Sequence, residues 1–559
     1  MSAQSSRRCR RRRYGINRRN GGAAARGGGQ NAAVTQAISP STSVRSPDSP
    51  WGLLLAVPAY GFLLFGLVPP VLSTLYLSLT RTGGITGGGT FAGMENYARL
   101  FTDGAYGRAA GFTVLVVVVR VLAVAVVPPL VAWGTAALGR RAAIPLGVVF
   151  AVPLAFATPA FAAVAYRMSA APGAPATAGG ARAAVLGGEA TYALLYACGI
   201  GVVVLTAALR AGTRRPFLVA WTVGLLAAAA YGLQAFTGVS VVTAGGPARA
   251  TETVGLHALT TGFQTLQLGY AAAAEVTFLL PVLLLGLAAG ILVIINRAAL
   301  DPAPAARREA PRPAAWIVGG VAVLVAVGVW VRGLWPVVAG WSGRPVTGVS
   351  VGGAVLRVLG HDLPATVLMV LVALAAAFGI VVFRPLGRGS GWLLLPFAPW
   401  LFLTTVAQGP ALFLAYTRGT VQRPFAHLQP ALGLLPLLLF AFVILLRGVE
   451  PRWRAARARR EPGAFLRHVL APGWLAALAV SAAAFLAVTH EYVTGWITVP
   501  DAGQQPLPVA VVRAGQTTFA ALDTAVTRPD LPLAIVPFAV LAAAAAWYAG
   551  RAVLRAGDQ

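Results

Sequence analysis

From residue 51 onward the chain alternates long apolar runs with short polar gaps. Twelve runs of roughly 20 residues, each able to cross a hydrocarbon core, lie near 52–79, 111–138, 142–166, 190–209, 216–236, 272–296, 314–335, 363–383, 391–416, 428–446, 471–490 and 532–550. They are too long and too continuously apolar for barrel strands, so they predict helices. Pro69–Pro70 and Pro128–Pro129 fall inside runs and predict kinks that bundle neighbours accommodate. The pattern predicts an all-α integral membrane protein with about 12 transmembrane helices.

The polar segments divide the chain further. Residues 1–50 are rich in Arg, Gly, Ser, Ala and Pro, with little to bury, and read as a disordered Arg-rich tail or partly as an over-long start. "RRCRRRRYGINRR" is followed by polar sequence, so it is not a signal peptide. Midway, "NRAALDPAPAARREAPRP" (296–313) follows the sixth run. A cytoplasmic linker over 301–313 then separates a first half, 51–300, from a second, 314–559, with six runs each. In both halves a long segment follows the fifth run: 237–270 and 491–530. The pattern predicts two parallel six-helix repeats with a pathway between them.

Composition agrees with a lipid solvent. The hydrophobic fraction is 57% and the charged fraction 11%, against about 25% charged in soluble domains. The net charge of +28 comes entirely from arginine, because the chain has no lysine. Its distribution speaks for membrane topology and an anionic-lipid contact at the tail rather than nucleic acid. With the tail inside, segments 139–141, 210–215, 297–313, 384–390, 447–470 and the C-terminus are cytoplasmic. These hold 20 arginines in about 70 residues, against 12 in about 170 outside, which is the positive-inside pattern. Both termini are therefore expected inside, in a bacterial plasma (inner) membrane.

Several chemistries are excluded. Without lysine there is no Walker A motif and no Schiff base. Cys9 and Cys198 form no disulfide framework, and five scattered histidines show no ligand spacing. No metal, cofactor or catalytic constellation is expected, and the chain reads as a non-enzyme.

Two groups of motifs carry a family resemblance. "GLQAFTGVSVVTAGGPARATETVGLHALTTGFQTLQLGYAAAAEV" (232–276) resembles the end of the first permease subunit of carbohydrate-type ABC importers, as in maltose and glycerol-phosphate systems. That family has a "LTGGGP…TET" turn, an aromatic-bearing segment and a "GYASA" helix start. Gly245, Gly246, Pro247, Thr251, Phe263, Gly269, Tyr270 and Ala271 match it. "VPAYGFLLFGLVPPVLSTLYLSLT" (57–80) and "FAGMENYARLFTD" (91–103) look like the family's first helix and its following loop. In the second half, "LLPLLLFAFVILLRG" (434–448) and "AFLAVTHEYVTGWITVPDAGQQPLPVAV" (484–511) are similar to the partner permease, with His490 where the family has Asn and Glu491 matching its Glu. The resemblance implies two fused permeases, a separate ATPase dimer, an extracytoplasmic solute-binding protein and alternating access. It also implies that 242–253 is a re-entrant segment at the pathway mouth; a plain surface loop is the alternative.

The family's cytoplasmic coupling motif is degenerate. In the second half "WRAARARREPGAFLRHVLAP" (453–472) keeps Ala455, Ala456, Gly463 and Pro472, while arginines replace its acids. In the first half "LRAGTRRP" (209–216) is too short for the motif. Arg452, Arg454, Arg457, Arg459 and Arg460 are either a docking surface or topology charge. Arg120, mid-run in "VVVVRVLAV", either lines a pathway or makes a structural pair, with Glu275 as a candidate partner. His490–Glu491 is either a contact for a hydroxylated solute or a solvated helix end. A relic permease serving as scaffold, and a membrane-embedded transferase, are the rival readings.

Overall fold

The computed structural model describes residues 49–82, 89–155, 177–302, 358–418, 423–498 and 551–557, with isolated positions elsewhere. The expected runs 314–335 and 532–550 lie almost wholly outside these residues.

The first half opens with α1 (Trp51–Ser78), whose middle turn, Leu63–Leu67, widens just before Pro69–Pro70. A two-residue ribbon follows, β1 (Thr80–Arg81) against β2 (Thr90–Phe91), antiparallel with Thr80 opposite Phe91. Then come α2 (Glu95–Thr102), α3 (Gly104–Ala137), α4 (Gly139–Ala151), α5 (Ala178–Leu209) and α6 (Arg214–Leu233). Two short helices, α7 (Thr237–Val242) and α8 (Val254–Gln264), precede α9 (Leu268–Ile295). β3 (Ala299–Asp301) closes this half.

The second half contains α10 (Val358–Phe383), the 3₁₀-wound α11 (Gly387–Phe402), α12 (Thr405–Thr417), α13 (Arg423–Gly433) and α14 (Leu435–Ala458). It continues through α15 (Ala471–Thr489) and α16 (Val493–Thr498) to β4 (Val553–Arg555). β4 pairs antiparallel with β3, so the chain's last described residues lie against the start of the linker.

Among the described residues seven helices are long and apolar enough to cross a membrane, or eight if the bent pair α11–α12 is one span. Their outer faces carry large apolar side chains in the open, with Phe65 84% exposed. Such faces suit lipid and not water. The chain is an all-α, multi-pass membrane protein.

Three expected boundaries are corrected. The fourth run begins at Ala178, not 190, because "AGGARAAVLGG" continues the helix on small residues and Thr177 caps it by accepting from the Gly180 amide. The 391–416 run is two helices bent by 90°. Residues 447–458 are no loop, since α14 runs through Pro451 to Ala458.

The halves meet where small residues let backbones approach. Along α9, Gly286 and Gly290 stand one turn apart and face α11. A Cβ on Gly286 would lie 2.6 Å from the Pro399 carbonyl oxygen, and one on Gly290 would lie 2.3 Å from the Ala398 Cβ. Only glycine fits, and the close approach supplies the packing that lipid-solvated helices need. One seam is thus built by α9 of the first half against α11 and α12 of the second, and α1 packs against α10 beside it, with Gly52 on the Gly379 backbone.

The loop segments sort onto two ends. At one, the Ser49 amide donates to Phe383, Arg215 donates to Asn296, the Gly557 amide donates to Asn296, and Arg384 pairs with Glu450. These are the segments grouped together by arginine density. At the other end Arg99 reaches Gln267 and Arg182 reaches the Ala250 carbonyl.

Candidate functional site

The break between α11 and α12 frees peptide groups that water cannot satisfy inside a membrane. Gln234, at the end of α6 and 4% exposed, takes them up. Its Nε2 donates to the Phe402 carbonyl at 2.8 Å, and its Oε1 accepts from the Thr404 amide and hydroxyl, both at 2.8 Å. A first-half amide therefore replaces the helix bonds that the second half lacks.

Four further polar residues gather at the same break. Thr405 donates its hydroxyl to Glu491 Oε1 at 2.6 Å. Glu491 also accepts from the amides of Val493 and Thr494 and so caps α16. Gln429 of α13 reaches Gln408 at 3.4 Å. Thr404, Thr405, Gln408 and Gln429 line a cleft with Leu67 and Trp400. Its cavity volume is about 10 Å³, room for about one water and not for a solute, so the seam is closed around it. Aromatic contacts shut it further: Phe263 of α8 packs edge-on against Phe413 and Trp496, at 4.6 and 5.5 Å between centroids.

The structure separates the sequence candidates. Glu491 and Glu275 sit at the seam; Gly409, where α12 turns fully helical, lies against Glu275. His490 is buried one residue before Glu491, its amide on the Leu486 carbonyl at 3.0 Å. Neither member of the pair is a solvated helix end.

Arg120 is elsewhere, and its partner is not Glu275. Its Nε donates to Glu189 Oε2 at 2.6 Å, with a second, shorter guanidinium contact to the same oxygen. The Tyr192 ring stacks 5.3 Å from the guanidinium carbon. Glu189 lay just outside the run assigned to its helix, which is why the pairing was not visible. With the helix starting at Ala178, Glu189 falls on its buried face.

Gly245, Gly246 and Pro247 form a turn within the first half. Thr251 bonds the Gly246 carbonyl and the Thr243 hydroxyl, and Thr253 bonds the Ala235 carbonyl and caps α8. Thr251 and Thr253 are fully buried, so the "TET" stretch is packed into protein and is not a plain surface loop. Glu252 reaches His257 Nδ1 at 3.4 Å, and His257 Nε2 lies 3.9 Å from Asp103.

Tyr270 donates to Asp103 Oδ2 at 2.6 Å, and this bond holds the Asp103 carboxyl below its usual range. A depressed folded pKa contributes stability above the ordinary value of about 3.9, lost as pH falls through the lower folded value. Tyr270→Phe should therefore flatten the acid limb of thermal stability measured in detergent between pH 5 and 3, approximate bounds set by that range. An acid limb identical to that of the unmodified protein contradicts this.

The arginine run divides. Arg452 pairs with buried Asp301 at 2.5 Å, and Arg454 pairs with buried Glu450 at 2.5 Å. Arg457 stacks over Trp453, Arg459 bonds Glu461, and Arg457, Arg459 and Arg460 are exposed. Ala456 is buried and Ala455 exposed on the same helix end. Gly463 takes a left-handed turn, φ +68°, and Pro472 stands in the first turn of α15. Of the five arginines read as either docking surface or topology charge, two are held by the chain's own acids. In the first half, 209–216 is a tight turn between α5 and α6, too short for a docked helix.

Among the described residues no group of His, Cys, Asp or Glu is arranged to hold a metal ion. Compared with models of known protein families and with curated proteins, the chain matches none.

Proposed function

We propose that the chain is the membrane permease of an importer for a polar solute, a sugar or a chemically related compound. Its 12 helices form two parallel six-helix repeats, with both termini in the cytoplasm of a bacterial cell. The solute crosses between the halves by alternating access, delivered by an extracytoplasmic binding protein and driven by a separate ATPase dimer. One observation carries the reading. The broken span α11–α12 places Thr404, Thr405 and Gln408 at the seam, with Gln234 of the other half bonded to Thr404. Discontinuous helices at a repeat interface are where transporters place substrate sites. Hydroxyl and amide groups there match a solute rich in hydroxyls.

The test is uptake of labelled mono- and disaccharides and glycerol phosphate into proteoliposomes supplied with the ATPase and binding protein encoded beside it. Uptake should require ATP, and Gln408→Leu should lower it about tenfold, the loss of one or two hydrogen bonds, at unchanged membrane level. Absence of ATP-dependent uptake across the panel contradicts the reading.

A second reading is a degenerate permease acting as a membrane scaffold or regulatory protein. The internal pairing of Arg452 and Arg454, and the tight turn at 209–216, favour it. Normal assembly with neighbouring membrane proteins but no uptake would select it.

A further inference from the structure

Glu275 is the seam's unmatched group. It lies about 10 Å along α9 from Leu268, at 1.5 Å per residue, and is 0% exposed. Among the described residues no side-chain donor and no ion pair reaches its carboxylate, and only the Gly409 amide approaches as a donor. The Gly409 backbone is the nearest polar neighbour; a Cβ built there would lie 3.2 Å from Glu275 Oε1 and 3.5 Å from Ile497. The other buried glutamates contrast with it: Glu189 and Glu450 have arginines and Glu252 reaches His257. Half-buried Glu491 has a hydroxyl and two amides.

Titratable groups stand on the elements packed around α9 without engaging Glu275. They are His257 on α8, Glu95 and Arg99 on α2, Arg81 on β1, Tyr416 on α12 and Glu491 before α16. Arg214, Arg215 and Arg388 on α6 and α11 stand at the arginine-rich end. Tyr270 on α9 itself bonds Asp103, and Tyr60 on α1 bonds the Leu393 carbonyl.

An ionised carboxylate without counter-charge or side-chain donor in a dry protein interior is strongly unfavourable, whereas a carboxylic acid is not. Ionisable groups inside membrane spans mark ion and proton pathways. Glu275 also stands where a conformational change must act, between α9 and α8 of one half and α12 and α16 of the other. We propose that Glu275 is a proton-binding site at the seam, loaded when the halves close and emptied when water enters between them. The balance is one proton: the carboxylate takes it from water on closing and returns it to water on opening. This ties the conformational cycle to pH on the side toward which the seam opens. The coupling rests on the alternating-access reading; the bound proton does not.

Two measurements on the full chain in lipid test this. Infrared spectra of the protein in membranes at neutral pH should contain the carbonyl stretch of a neutral carboxylic acid. Glu275→Gln should lose that band and Glu491→Gln should retain it. No such band, or one unaffected by Glu275→Gln, overturns the proton site. For the coupling, spin labels at Leu266→Cys and Arg418→Cys, with Cys9 and Cys198 changed to Ser, report the separation of the halves. That distance should change with pH in the parent and be fixed near its closed value in Glu275→Gln. A pH-independent distance in the parent overturns the coupling. A confirmed band and a moving distance without solute uptake would leave this inference standing and count against the permease reading alone.

Discussion

Replacing Glu189 by leucine should empty the membrane of most folded protein, and adding Arg120→Leu should restore it. Arg120 is 7% exposed and Glu189 5%, with the guanidinium bonded through two nitrogens to one carboxylate oxygen. Removing one partner of such a buried pair costs about 3–5 kcal/mol, because the remaining charge has no solvent. That is roughly two to four decades in the folding equilibrium. The double leucine variant removes both charges, and apolar replacements of buried pairs are often neutral or stabilising. Size-exclusion profiles of fluorescently tagged protein extracted from membranes measure the folded fraction. The expected order is parent, double variant close behind, and Glu189→Leu far below. A double variant as poor as the single one would show that the pair does more than neutralise itself. Glu275→Leu should leave Arg120 undisturbed, since the two do not touch.

What the sequence made legible was the solvent. Runs of apolar residues without charge are a one-dimensional signal, so most helices of the first half and α10 fell near their expected places. The grouping of loops by arginine density was legible for the same reason, and the contacts at each end agree with it. The helix boundary at Ala178 was not, because Ala and Gly carry little hydropathy and still pack as helix when neighbours cover them. The bend at Leu403–Thr404 was hidden inside a run that is apolar on both sides. Only Gln234, more than 160 residues away, supplies the bonds that make the break tolerable.

The candidate site was half legible for a related reason. Glu275 and Glu491 stood out as charges in apolar sequence, and both lie at the seam. Thr404, Thr405, Gln408 and Gln234 are neutral and common, and their role depends on long-range contacts that no local pattern encodes. Asp301 and Glu450 read as ordinary loop acids. The structure buries them at 2% and 5% exposure, where each is held by two arginines.

Those two acids decide the outcome of charge reversal in the arginine run. Arg454→Glu places a second carboxylate beside Glu450 and leaves Arg384 as its remaining ion-pair partner, with Arg447 nearby. Arg454 is about a third exposed, with 30% of its side chain open. Its loss should therefore cost roughly 2 kcal/mol, below the 3–5 kcal/mol of a fully buried pair. The damage spreads through Gly448, two residues before Glu450, where a Cβ would lie 1.9 Å from the Leu300 carbonyl oxygen. α14 and β3 are pressed together there, and Arg452 and Arg555 fasten Asp301 at the same place. Arg454→Glu should thus loosen the contact between linker, C-terminus and α14, lowering folded protein and uptake together. Arg457→Glu with Arg460→Glu changes only exposed charges, and such changes usually stay within about 0.5 kcal/mol. If an ATPase docks on this helix end, that pair should keep its membrane level while losing uptake and salt-sensitive association with the ATPase. Thermal unfolding, membrane level and ATPase co-purification, read on both variants, separate the two effects. Equal loss of folded protein in both would contradict the division of the run. Full uptake with Arg457→Glu and Arg460→Glu would remove this helix end from the coupling path.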